Sequence, residues 1–200
     1  MSENLTAPTS AATAQYTHVA IILHWLMAFL IVVMIIVGLI MGEDEIIPAS
    51  LRFTVYQIHK SVGLTVLVLT FFRIYWRLSH PVPPLPDTMK PHEKMLAHAA
   101  HIGLYLLMLG LPLTGWALVS ASPRNIPTMW FGLFEWPHLP ILPDVENKKE
   151  VSHMFGEVHE VLANGAIALI LLHVAAALKH QLVDKDDILA RMAPWVKKHE

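Results

Sequence analysis

The sequence predicts an all-α membrane protein, a transmembrane four-helix bundle, and three observations predict it. Apolar residues make up 54% of the chain and charged residues 15%, with a mean hydropathy of +0.49, more apolar than a soluble domain needs. Four apolar runs are each long enough to cross roughly 30 Å of hydrocarbon at about 1.5 Å per residue. In the last of them His159 and His173 stand fourteen residues apart. That spacing falls within roughly 40° of four whole helical turns and rises about 21 Å. Both imidazoles therefore share one face, near opposite membrane surfaces.

The elements follow in order. Residues 1–17 form a polar tail without Lys or Arg, expected to be uncleaved because the apolar run after it is too long for a signal-peptide core. Span one covers 19–41 and is interrupted only by His24. An acidic connection, with Glu43, Asp44 and Glu45, leads to span two at 53–78. Pro81, Pro83, Pro84, Pro86 and Pro91 forbid a helix between spans two and three. Span three covers 93–120 and contains Gly110, Pro112 and Gly115, tolerable where neighbouring helices pack around them. The longest connection, 121–151, mixes Trp130, Phe131, Phe134 and Trp136 with five prolines and is expected along the membrane interface. Span four covers 152–181, followed by a tail, 182–200. No internal repeat and no second domain is expected.

Cysteine is absent, which excludes disulfides, thiolate metal sites, iron–sulfur clusters and covalent haem attachment. A net charge of −2 gives no footprint for a nucleic acid. Arg73, Arg77, Lys90 and Lys94 flank the second connection, and Lys179, Lys185, Arg191, Lys197 and Lys198 follow span four. The opposite side has Arg52, Lys60, Arg124, Lys148 and Lys149 against seven acidic residues in its two connections. The positive-inside rule then places both termini in the cytoplasm.

Depth sorts the histidines. His24 lies near the start of span one and His173 near the end of span four, at the inner surface; His59 opens span two and His159 opens span four, at the outer surface. They make two pairs at matched depth, His24 with His173 and His59 with His159. A six-coordinate b-type haem brings four equatorial nitrogens and asks for one histidine on each side, in an apolar cavity between helices. Each histidine alone could equally be an interhelical hydrogen-bonding group; the matched set points to two haem b sites. The fourteen-residue spacing recurs on neighbouring helices. Gly38 follows His24 by that interval, clearing space beside the outer site, and Arg73 follows His59 by it, placing a guanidinium that a propionate would neutralise beside the inner one.

Other signals are weaker. His98 and His101, at the inner end of span three, could bond a propionate or a quinone carbonyl, or one could displace His24 as a ligand. Lys60, beside His59, is expected to pair with a propionate or a headgroup, or to draw a small anionic donor to the outer site. His159–Glu160 begins like a zinc H-E-x-x-H motif, but Ala163 stands at its second histidine. Metal transport would also want mid-membrane carboxylates, which the spans lack.

The segments I-L-H-W-L at 22–26, Q-I-H-K-S-V-G at 57–63, R-I-Y-W-R-L at 73–78, A-H-A-A-H at 97–101, L-P-L-T-G at 111–115, H-E-V-L-A-N at 159–164 and L-L-H-V-A-A-A-L at 171–178 carry a resemblance. The chain resembles the bacterial cytochrome b561 family over residues 16–194. The resemblance implies a dihaem protein of the inner membrane with His24, His59, His159 and His173 as axial ligands. It also implies, as in some members, a superoxide:ubiquinone oxidoreductase taking electrons from a periplasmic donor. The alternative is an electron-carrier subunit docking a separate dehydrogenase or hydrogenase. Membrane lipid, ubiquinone, a small anionic or protein donor and a second copy of the chain are the expected partners.

Overall fold

The computed structural model describes residues 15–197. Most of the predicted N-terminal tail, together with Lys198 and His199, lies outside the described residues. The helices are α1 (His18–Ile40), α2 (Ala49–Ser79), α3 (Pro91–Ser120), α4 (Lys148–Lys179) and a short α5 (Ile188–Met192); a two-stranded hairpin, β1 (Thr128–Trp130) and β2 (Phe134–Trp136), lies between α3 and α4. The first four helices are long and apolar enough to cross a membrane.

Local chemistry sets the helix ends. Thr17 caps α1 by accepting from the Ala20 N–H at 3.3 Å, which satisfies one of the free donors of the first turn. α2 begins behind Pro48 and α3 has Pro91 at its first position, where a missing N–H costs nothing. The Glu93 side chain accepts from the Lys90 N–H at 3.1 Å and closes the start of α3. α2 and α4 each begin four residues before the predicted spans, at 49 and 148. The first turn of α4 is polar, with Lys148, Lys149 and Glu150, and that of α2 carries Ser50 and Arg52, so the helices continue past the apolar boundary.

α1 packs on α2, α2 on α3 and α3 on α4, whereas α4 packs closely on neither α1 nor α2. Small residues bring α3 and α4 together: a Cβ on Gly103 would come 2.9 Å from Leu169 Cδ2, and one on Gly110 would come 3.2 Å from Leu162 Cδ1. The two glycines lie seven residues apart, two turns of one strip, and let the backbones approach as membrane helix pairs prefer. Large apolar side chains such as Val33, Ile36, Phe71, Leu106 and Leu171 face outward, where hydrocarbon rather than water covers them.

The connection after α3 is more ordered than an interfacial loop. Its hairpin lies along the side of α2, over residues 57–65. Pro127 C=O accepts from Gln57 Nε2 at 2.9 Å and from Lys60 Nζ at 3.1 Å, Ser61 Oγ accepts from the Phe131 N–H at 3.0 Å, and Trp130 Nε1 donates to Thr65 Oγ1 at 3.2 Å. Eight helical residues span about 12 Å, so the hairpin reaches well down the helix. At the other end the chain after α4 makes a π-helical turn (His180–Asp184), and α5 folds back under the bundle. Trp25 Nε1 donates to Met192 C=O at 2.9 Å, Arg191 Nη1 donates to Pro84 C=O at 2.6 Å, and Trp25 contacts Trp195 with ring centroids 5.1 Å apart. These two ends are called the hairpin end and the terminal end.

Candidate functional site

The gap that α4 leaves beside α1 and α2 is bridged by imidazoles at both ends. At the terminal end His24 of α1 faces His173 of α4 with ring centroids 6.3 Å apart; at the hairpin end His59 of α2 faces His159 of α4 at 6.5 Å. An imidazole nitrogen bonds a metal at about 2.0–2.1 Å, and the ring centroid lies roughly 1.1 Å behind it, so two axial rings on one metal stand about 6.3 Å apart. Both pairs have that separation. All four rings are half-buried, between helices rather than on the surface.

Around the hairpin-end pair the backbone has been cleared. A Cβ on Gly38 would sit 3.4 Å from His59 Cε1, and one on Gly115 would sit 3.3 Å from His159 Cε1. His159 Nδ1 lies 3.0 Å from Leu111 C=O and 3.1 Å from Thr114 Oγ1. A carbonyl can only accept, so Nδ1 carries the proton and Nε2 keeps its lone pair for a metal. Thr114 Oγ1 is itself anchored 2.7 Å from Gly110 C=O. Pro112 lies inside α3 beside Leu111 and withholds one backbone donor from this turn. His59 Nδ1 is buried with no protein partner, an orphan that a bound polar group would satisfy. Lys60, the residue after His59, donates to Pro127 C=O of the hairpin connection at 3.1 Å; no carboxylate pairs with it among the described residues.

The terminal-end pair has a different surround. Arg73 Nη2 lies 3.1 Å from His24 Nδ1 and Arg73 Nε lies 3.3 Å from Tyr105 Oη. A guanidinium has no acceptor, so this contact leaves the His24 proton on Nε2, the reverse of what a metal at Nε2 requires. A carboxylate near Arg73 would be the stronger acceptor and would release the ring, which is what a haem propionate offers. His101 approaches the pair from α3, its centroid 5.6 Å from that of His173 at an interplanar angle of 65°. That is shorter than the separation of two axial rings, and His24 rather than His101 stands at the right distance. His98, one turn before His101, is exposed. The residues present fit two haems, each between facing imidazoles from two helices.

Comparison with known proteins agrees. A family profile described as prokaryotic cytochrome b561 matches residues 15–195. The chain belongs to the prokaryotic cytochrome b561 family. It is 31% identical over 179 residues to an Escherichia coli protein named cytochrome b561 homolog 2, covering 89% of this chain and 90% of that one. It is 33% identical over 181 residues to a Yersinia pestis protein named probable superoxide oxidase CybB, covering 90% and 96%. A Cereibacter sphaeroides protein named cytochrome b562 is 32% identical over 183 residues, covering 88% and 94%. As a member of the cytochrome b561 family the chain is a multi-pass protein of the bacterial inner membrane, a b-type haem protein that transfers electrons.

Sequence spacing alone missed three features of this cytochrome b561 site. Thr114 and the Leu111 carbonyl orient His159, and in the sequence they stand only within the short segment L-P-L-T-G. The sequence marks Gly115 only as tolerable in a membrane helix, whereas in the structure it makes room for a ring. Tyr105, between Arg73 and Arg77 with each guanidinium carbon 5.9 Å from its ring centroid, had no sequence signal.

Proposed function

We propose that the chain holds two haem b groups, one between His59 and His159 and one between His24 and His173. It oxidises superoxide at the periplasmic face and reduces ubiquinone, with both termini in the cytoplasm. The facing imidazole pairs at the two ends of one gap carry this reading. Bound between two imidazoles, haem b supplies one-electron oxidation and reduction with no open position for dioxygen. The chain's own residues do the rest. Leu111 and Thr114 hold His159 in the ligating tautomer, Gly38 and Gly115 keep the cleft open, and Arg73 offers a guanidinium to a propionate.

Substrate chemistry fits the charges. Two superoxide anions each lose one electron and leave as dioxygen; one ubiquinone takes both electrons and two protons to become ubiquinol. The Lys60 ammonium, next to the hairpin-end pair without a carboxylate partner, attracts a small anion there. At the terminal end His101 and the more exposed His98 would offer hydrogen bonds to a quinone carbonyl. The similarity to a protein named probable superoxide oxidase supports the donor. Stopped-flow mixing of the oxidised protein with superoxide should reduce the haem and, with ubiquinone present, form ubiquinol. Absence of haem reduction would overturn the donor.

A second reading is favoured by one observation. Phe131, Leu133 and Phe134 stand exposed on the hairpin, and such a patch suits an electron-carrier subunit that docks a dehydrogenase or hydrogenase. Isolation of a stable complex with such an enzyme, and no reaction of the lone chain with superoxide, would select this reading.

A further inference from the structure

A small cleft lies at the terminal end, next to the imidazole pair there and sharing Arg73 with it. It has a volume of ≈ 40 Å³, and its lining combines the polar groups of Thr17, Arg73, Arg77 and Tyr105 with apolar residues such as Leu23 and Val82. A water needs roughly 10–15 Å³ on this scale, so the cleft takes about three waters or one tetrahedral oxyanion.

Its polar lining is rich in protons to give. Arg73 and Arg77 bracket the Tyr105 ring at 5.9 Å each. Neither guanidinium pairs with a carboxylate among the described residues; at this end of the chain Lys179 holds Glu93 and Asp184, both at 2.6 Å, and His180 holds Asp186 at 2.6 Å. The Thr17 hydroxyl oxygen accepts from the Ala20 N–H at 3.3 Å and from Trp76 Nε1 at 2.9 Å, which leaves its own proton free. Tyr105 accepts from Arg73 Nε at 3.3 Å and likewise has its proton to donate. Trp76, stacked on His80 with ring centroids 3.8 Å apart, forms an aromatic wall of the kind found at headgroup depth. Two adjacent guanidiniums at the end of a membrane helix, beside an apolar wall, are costly unless an anion joins them.

The geometry points to a binding site for a phosphate group, delivered by an anionic phospholipid of the leaflet at this end. Arg77 supplies the fork, the outer edge of Arg73 and the Thr17 hydroxyl complete the oxyanion contacts, and Leu23 and Val82 meet the glycerol and upper acyl chain. Basic pockets between membrane helices take anionic headgroups in this way. This site does not depend on which donor the protein oxidises.

The test uses the haem-loaded protein in neutral detergent, with phosphatidylglycerol or phosphatidylcholine added, and with inorganic phosphate in a third arm. Phosphatidylglycerol should raise the Tm more than phosphatidylcholine and should be retained in native mass spectra. Arg77→Gln should lower that preference about fivefold, as expected for one interfacial cation, with the Soret band unchanged. Equal effects of the two lipids on the wild-type protein, or a preference that survives Arg77→Gln, would overturn the site. Inorganic phosphate matching phosphatidylglycerol would overturn the lipid source, and loss of haem from Arg77→Gln would reassign the guanidinium to a propionate. Should Arg77→Gln fail to accumulate, Arg77→Met carries the same test, since it removes the charge and the fork while keeping an unbranched apolar stem.

Discussion

Thr114 Oγ1 lies 3.1 Å from His159 Nδ1, and the hydroxyl is held in turn by the carbonyl of Gly110 at 2.7 Å. A helix outside both facing imidazole pairs thus sets the tautomer of an imidazole on its neighbour. Hydrogen bonding at Nδ1 makes an imidazole more basic and stabilises the ferric state of a haem bound to it. Thr114→Val should raise the midpoint potential of one of the two haems by tens of millivolts, 59 mV being a tenfold change for one electron. The other haem should not move. Redox titration monitored in the Soret and α bands reads this, and an equal shift of both haems would refute it.

Pairing across the gap makes a second prediction. His59→Ala and His159→Ala should lose one spectral component, and His24→Ala and His173→Ala should lose the other, because under the proposed function each pair holds one haem. His101→Ala should keep both haems. Reduced-minus-oxidised spectra with a haem-to-protein ratio check it; loss of haem from His101→Ala would make that residue the ligand instead of His24.

The glycines differ in what they allow. A Cβ on Gly115 would already press His159 Cε1 at 3.3 Å, whereas nothing lies within 4 Å of one on Gly42. Gly115→Leu should expel the haem at the hairpin end while Gly42→Leu leaves the haem content unchanged. Gly103→Val meets Leu169 Cδ2 at 2.9 Å and should destabilise the α3–α4 pair by about 1–3 kcal/mol, the usual cost of overpacking. Leu169→Ala in the same chain should restore part of the lost Tm.

Ser61 pins the hairpin to α2. Its hydroxyl is 1% exposed, accepts from the Phe131 N–H at 3.0 Å and lies 3.0 Å from Met129 C=O. Ser61→Ala leaves these backbone groups short of a partner, a loss of roughly 1–3 kcal/mol. Faster hydrogen exchange confined to residues 127–136, with both haems retained, is the expected result.

Electrostatic steering gives the last prediction. If superoxide is the donor, Lys60→Gln should slow its reaction severalfold at low salt and flatten the salt dependence, since a screened positive charge is what speeds the encounter. Stopped-flow rates at several ionic strengths measure it. Unchanged rates would remove Lys60 from the approach path.

Much of this arrangement was readable along the chain, and the reason differs by residue. Spacing within one helix is rigid at about 1.5 Å and 100° per residue, so the depths of His159 and His173, and of Gly38 and Arg73, followed from counting. The span starts at 49 and 148 were missed because polar turns extend past the apolar run. The hairpin was missed because Gln57, Ser61 and Thr65 are polar positions of a membrane helix whose partners lie about seventy residues away.

The sequence by itself determined four helices able to span a membrane, the histidines they bear and the end of the bundle each histidine lies near, because helical rise converts residue number into position along the axis. Only the tertiary structure decided that α4 lies against α3 and stands off from α1 and α2. It also decided that His24 and not His101 faces His173 at 6.3 Å, and that Thr114 orients His159. Those are matters of lateral distance and rotation between helices, fixed by where Gly103 and Gly110 let α4 lie against α3, and no spacing within one helix encodes them.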